Sequence, residues 1–197
     1  MAKYPVTHVQ FEGFLKANDG YRNEEWWNGV ERSWEVSIAS WQEANAPRES
    51  VSWHEAVAFC RWFSYRTDSK IRLPTEWEWQ QAATGGDSTR DYPWLGIWDA
   101  SRCNSEESRL VRTMAVGMYP SGATLQGVLD MVGNVWEWCL NTYNQPELPE
   151  SLRIDGSDLL RVVRGGSWYS KREALRISAR YRPMPAGRDN VVGFCLA

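Results

Sequence analysis

Few side chains in this sequence could do covalent or metal chemistry. Four cysteines occur, Cys60, Cys103, Cys139 and Cys195, and none forms a CxxC pair. That argues against a zinc ribbon or a thioredoxin-like motif, and a chain of 197 residues needs no disulfide staples. Free thiols in a reducing, cytoplasmic compartment are the expectation. The two histidines, His8 and His54, lie far apart, each on a predicted helix, and read as surface or packing residues. What the sequence offers instead is a surface for gripping. The stretch RGGSWYSKREALRISARYRP, from Arg164 to Pro183, carries tyrosine and arginine on a predicted loop. Aromatic rings bury large area with few rotamers and guanidinium groups make forked hydrogen bonds, so these residue types dominate binding hot spots.

Such a loop needs a scaffold, and three helices are predicted to supply part of it. Thr7 with Gln10, Ser52 with Glu55 and Thr75 with Glu78 each have the spacing of a capping box. The first helix presents Phe11, Phe14 and Leu15 and is expected to end at Asp19-Gly20. The second carries a broad apolar surface through Val57, Phe59, Cys60, Trp62 and Phe63, and the third closes at Gly85-Gly86. Beyond Gly86 the helical signal fades. TMAVGMY and LLRVVRGGSW read as strands, VVGFCLA as a terminal strand, NQPELPESLRIDGSD as a surface loop and Tyr169 to Asn190 as loop. Gly165-Gly166 is expected to allow close backbone approach.

The thirteen tryptophans read as packing in a loop-rich domain, with ring N–H groups bonded to loop carbonyls. A net charge of −3 argues against a general nucleic-acid binder. No apolar run approaches membrane-spanning length, and MAKYPVTHVQF lacks the apolar core of a signal peptide. One α+β domain over 1–197 is expected, with a small antiparallel sheet, a few helices and much ordered coil.

YPVTHVQFEGFL, VSWHEAVAFCRWFS, RLPTEWEWQQAATGG, LDMVGNVWEWC, RVVRGGSW and the closing GF resemble, in order and spacing, the formylglycine-generating or sulfatase-modifying-factor family. The resemblance implies a C-type lectin-like fold. The strand that usually precedes YPVT in the family is missing, which implies either a trimmed domain of a larger protein or a Met1 that replaces the upstream strand; fusion to or association with an upstream effector domain is a further expectation. The founding enzyme oxidises a substrate cysteine with two cysteines of its own that bind copper, just after GGS. The matching positions hold Ser170 and Leu175, and neither supplies the thiolate that such chemistry needs. Another branch uses iron held by three histidines, where this chain has two. No copper or iron is therefore expected. The resemblance also implies a structural calcium on LDMVGNVWEW, held by the side chains of Asp130 and Glu137 and the backbone oxygens of Gly133 and Val135. Hard oxygens from a flexible loop suit calcium, and Gly133 would let the loop curl.

The C-terminal segment resembles that of diversity-generating retroelement variable proteins, in which adenine-directed mutagenesis rewrites template codons such as AAC. Tyr169, Ser170, Ala174, Ala179, Tyr181, Arg182, Pro183, Gly187, Asp189 and Val191 fit descent from that codon, with Asn190 unaltered. Lys171, Glu173 and Met184 do not fit. With Arg172 and Ala186, these residues form the candidate binding surface for a protein ligand. Leu175, Arg176, Arg180, Pro185 and Arg188 read as frame, the arginines tying loops to carbonyls and carboxylates. The reading is a non-catalytic binding domain. The alternatives are an enzyme or accessory of the same family with a non-standard site, and a structural module of a larger signalling protein.

Overall fold

The computed structural model describes residues 1–145, 154 and 156–197. The expected surface loop NQPELPESLRIDGSD falls largely outside them. Three α-helices stand among the described residues: α1 (His8–Lys16), α2 (Trp53–Thr67) and α3 (Glu76–Thr84). Each begins where the sequence places its cap. The backbone N–H of Thr7 donates to Gln10 Oε1 at 2.8 Å. Ser52 N–H donates to Glu55 Oε2 at 2.8 Å while Glu55 N–H returns to Ser52 Oγ at 3.2 Å. Thr75 and Glu78 repeat the pair at the same two distances. Gly85 ends α3 in the left-handed region. Helix α1 stops three residues before Asp19, because Ala17 turns extended and Tyr21 N–H folds back onto Phe14 O at 3.0 Å.

Four strands form one sheet in the order β3-β2-β1-β4: β1 (Trp136–Thr142), β2 (Arg161–Arg164), β3 (Arg180–Tyr181) and β4 (Val192–Gly193). Pairs β1–β2 and β2–β3 are antiparallel, but β1–β4 is parallel, so the sheet is mixed rather than purely antiparallel. TMAVGMY is not a strand. Its N–H groups go to single partners in loops, Met114 to Asn134 Oδ1, Val116 to Asn45 O and Gly117 to Asp130 Oδ2, so no ladder forms. The segment Tyr169 to Asn190 is mostly coil, with β3 inside it.

Helices α1 and α2 pack their aromatic faces together against the C-terminal strand region. Phe59 stacks on Phe11 at 5.7 Å and meets Phe194 edge-on at 5.4 Å. Full burial of each such ring contributes about 1.5–3 kcal/mol. The tryptophans behave as the composition predicts. Trp53 Nε1 donates to Cys139 O at 3.0 Å and Trp138 Nε1 to Val51 O at 2.8 Å, which ties the N-terminus of α2 to β1. A smaller core of Tyr92, Trp94, Cys103, Val132 and Leu175 lies under the start of the C-terminal segment. No helix among the described residues is long and apolar enough to cross a membrane.

Candidate functional site

The C-terminal segment alternates between fixed and free positions. Leu175 and Ile177 are fully buried and Pro185 is buried. Tyr169, Lys171, Arg172, Glu173, Tyr181, Arg182, Met184, Ala186 and Asp189 are exposed. Ser170, Ala174, Ala179, Pro183, Gly187, Asn190 and Val191 are half-buried, and Ala174, Ala179 and Val191 rest against the main core. None of the candidate surface residues is buried. Tyr169 and Tyr181 are 68% and 54% exposed, although their rings also lie 5.5 Å from that of Trp168 and 5.9 Å from that of Trp136.

Main-chain bonds hold this irregular backbone in place. Ile177 N–H donates to Asp91 O at 2.8 Å, Glu106 N–H to Ser170 O at 3.2 Å and Arg161 N–H to Pro183 O at 3.1 Å. Ser50 N–H reaches Asp189 O and Trp53 N–H reaches Pro185 O, at 3.0 and 2.9 Å. Gly165 and Gly166 open the segment with positive φ; a Cβ on Gly165 would lie 2.7 Å from Met131 O. Close backbone approach is therefore what this pair provides.

Two carboxylates clamp the frame arginines. Glu76 accepts Arg180 Nε at 2.6 Å and Nη2 at 2.8 Å, and also takes Arg164 Nη1 at 2.6 Å. Glu55 accepts Arg188 Nε at 2.9 Å and Nη2 at 3.0 Å. Arg180 also reaches Tyr143 O. Among the described residues Arg176 has only the outer partner Asp91, at 3.6 Å. The sequence marks Glu55 as a capping residue and gives no local signal that it, or Glu76, holds an arginine more than a hundred positions away.

The positions matching the copper cysteines have other duties. Ser170 Oγ accepts Ser167 N–H at 2.9 Å. Leu175 fills the small core beneath the segment. All four cysteines are free and buried. Burial pushes the Cys103 thiol up to about 12 and raises Cys60, Cys139 and Cys195 further, away from thiolate at neutral pH. His8 begins α1 and His54 lies in the first turn of α2, and burial lowers the pKa of both.

On the LDMVGNVWEW turn, Asp130 and Glu137 are both buried carboxyls. Burial raises Asp130 to about 6, opposed by a 2.6 Å bond from Gly117 N–H. Burial raises Glu137 to about 8; Trp79 Nε1 donates to its Oε2 at 2.7 Å, and the charge of Asp130 raises it further. Among the described residues Glu137 Oε1 has no hydrogen-bond partner. Among the described residues no arginine, lysine or histidine pairs with either carboxyl, and no three His, Cys, Asp or Glu side chains gather at one point. Gly133 curls at φ +80°, where a Cβ would lie 2.3 Å from Asn104 O, and Val135 is buried beside it. Two buried acids, one with an oxygen unpartnered, fit a hard cation whose remaining ligands would be backbone oxygens.

The whole chain, residues 1–197, matches the family described as Sulfatase-modifying factor enzyme 1-like domain. The chain belongs to that family. Among curated relatives, it is 30% identical to serine/threonine-protein kinase pkn1 of Chlamydia pneumoniae, over 97% of this chain and 31% of that protein. It is 30% identical to hercynine oxygenase of Mycobacterium tuberculosis, over 100% of this chain and 52% of that protein. It is 31% identical to inactive C-alpha-formylglycine-generating enzyme 2 of Mus musculus, over 86% and 56%. The chain thus spans about a third to about half the length of these relatives, and the family includes both enzymes and inactive members. Among solved structures, Treponema denticola variable protein 1 superposes with a TM-score of 0.71 at 22% identity, covering 98% of this chain and 81% of that one. That likeness fixes the fold as the C-type lectin-like fold of the formylglycine-generating type.

Proposed function

We propose that this chain is a non-catalytic binding domain whose Tyr169–Val191 face takes a protein ligand, and that the face is diversified through adenine-directed mutagenesis. The observation that carries the reading is the burial pattern. Every candidate contact residue reaches solvent, while Leu175, Ile177 and Pro185 between them are buried. Variation at the outer positions therefore leaves the scaffold intact. Ser170 and Leu175 at the oxidase positions, and cysteines held as buried thiols, support the absence of that chemistry. The thiols also favour a reducing, cytoplasmic setting. Calcium on Asp130, Glu137 and the Gly133 and Val135 oxygens would act as a structural ion. Because the kinase relative extends well beyond the matched region, a recognition module attached to an effector is the arrangement we favour.

The test combines binding with stability. Replacing Tyr169, Tyr181 and Arg182 together by alanine should weaken capture of the protein ligand more than tenfold and shift stability by no more than about 0.5 kcal/mol at each site. Loss of stability instead would make these residues structural. A near-identical repeat beside the gene, differing only at adenines and accompanied by a reverse transcriptase gene, is expected; its absence removes diversification. Oxygen uptake on a cysteine peptide would revive the enzyme reading.

A further inference from the structure

A cavity of about 640 Å³ lies between α1 and the stretch from Val36 to Ala44. No residue of the candidate face lines it. Its walls are mostly aliphatic, with Val9, Leu15, Val36 and Ile38 among them. Val9 and Ile38 are 52% and 80% exposed and form its rim.

Arg48 is the unusual member. Its N–H donates to Val6 O at 2.8 Å, which fixes its backbone beside the start of α1. The residue is 2% exposed, and its guanidinium lies 4.9 Å from the centre of the Phe11 ring. Nη2 donates to Ser37 O at 2.6 Å. Among the described residues neither Nε nor Nη1 has a partner; Nε is closed to solvent and Nη1 is not. Burial lowers the pKa of this arginine. Glu49, Glu55 and Glu12 oppose that as charges, none of them at ion-pair distance. Each of these acids is engaged elsewhere. Glu49 accepts the N–H groups of Ser40 and Trp41 and the hydroxyl of Ser50, Glu12 pairs with Lys16 at 2.8 Å, and Glu55 holds Arg188. Of the other polar residues on the wall, Ser37 Oγ donates to Ser50 O, Gln42 is exposed, and burial lowers the pKa of His8, which keeps its ring neutral near pH 7. A buried cation without a counter-charge is costly, and a carboxylate on Nη1 would supply one.

We infer that this cavity binds an aliphatic monocarboxylate, its carboxylate on Arg48 Nη1 and its hydrocarbon along Val9, Val36 and Ile38. The inference does not depend on the role proposed for Tyr169–Val191. One negative charge suits the site. A dianion such as phosphate would set its second charge against the Glu12 and Glu49 carboxylates, with one open guanidinium nitrogen to hold it. An ammonium would meet Arg48 and Lys16, and an uncharged hydrocarbon would bury Nη1 unpaired. The same chemistry is offered by a free short-chain acid and by the carboxyl terminus of a protein that ends in aliphatic residues.

The test is calorimetric titration of the whole chain near neutral pH with hexanoate, hexanol and inorganic phosphate. Saturable binding of hexanoate is expected, about tenfold or more weaker for hexanol and for phosphate. Ile38→Glu should weaken hexanoate binding and Ile38→Lys should not, both with an unchanged melting temperature, since Ile38 is exposed. Arg48→Met should abolish the preference for hexanoate over hexanol; if that variant fails to fold, the two changes at Ile38 carry the test. Two further probes separate the sources: N-acetyl-Ala-Val-Ile with a free carboxylate, and the same peptide as its amide. Binding of hexanoate alone assigns the site to a free acid. Binding of the free-carboxylate peptide but not its amide assigns it to a protein terminus. No saturable binding of either carboxylate, the outcome if water satisfies the guanidinium, overturns the proposal. Equal affinity for hexanol or phosphate, or equal effects of glutamate and lysine at position 38, also overturns it.

Discussion

Glu137 poses the sharpest question at the scale of single residues, because its buried carboxyl keeps one oxygen without a partner a short way along the chain from buried Asp130. A bound cation would satisfy both. Calcium at a hundredfold excess over its Kd adds about 2.7 kcal/mol to stability, or roughly 5–10 °C in Tm for a chain of this size. Millimolar calcium should produce that rise, a chelator should reverse it, and Glu137→Gln should remove the response. A Tm indifferent to both, with no metal by elemental analysis, would count against the ion. The sequence could name Asp130 and Glu137 only through the family resemblance, since nothing local reveals that the two carboxyls are buried. The exposure of Tyr169 and Tyr181 was legible from the polar, irregular character of their segment. Leu175 read only as frame, and its full burial beneath the segment emerges from the structure.

Helices and strands differ in how openly the sequence announces them. Each of the three α-helices starts at its capping box because the signal is local, two side chains closing a loop of four residues. Strand β1 was hidden within the expected metal loop. Its residues are buried on both faces except Asn141, so no polar alternation marks it. Strand β3 is two residues long and exists only through its partner, whereas β4, equally short, falls within VVGFCLA, which reads as a terminal strand. The element that joins these parts is the N-terminus of α3, where Glu76 holds β2 through Arg164 and β3 through Arg180. Removing one member of a buried ion pair costs about 3–5 kcal/mol. Glu76→Gln should therefore lower unfolding free energy by that order in a urea titration. It should also speed amide exchange at Arg180 and Tyr181 more than in α1. Equal acceleration everywhere would argue against a clamp specific to this end of the segment.

Across the whole molecule, the buried histidines give stability a direction in pH. Burial holds His54 and the partly exposed His8 below the ordinary value of 6.5. At these rings the folded state then binds fewer protons than the unfolded state, so their contribution to stability is complete above about 6.5 and is lost as pH drops below that value. Burial of Asp130 and Glu137 acts in the opposite sense over the same range when no cation is bound, so the histidine contribution is read as a difference: from pH 8 down to pH 5 the urea midpoint of the parent chain should lose ground to that of His54→Leu. An identical slope in the variant would show that the ring titrates as freely folded as unfolded.

The alternation of buried and open positions between Trp168 and Val192 has a genetic corollary. A mutator that acts only on adenine cannot touch a leucine codon such as CTC or a proline codon such as CCC. An isoleucine codon offers its first base, and every replacement there, ATC to GTC, CTC or TTC, yields valine, leucine or phenylalanine. Ile177 could thus be struck repeatedly and still place an oily group in its niche, while neighbours with adenines in their codons sample tyrosine, serine, aspartate and arginine. Under such a process the genetic code itself would shield the interior.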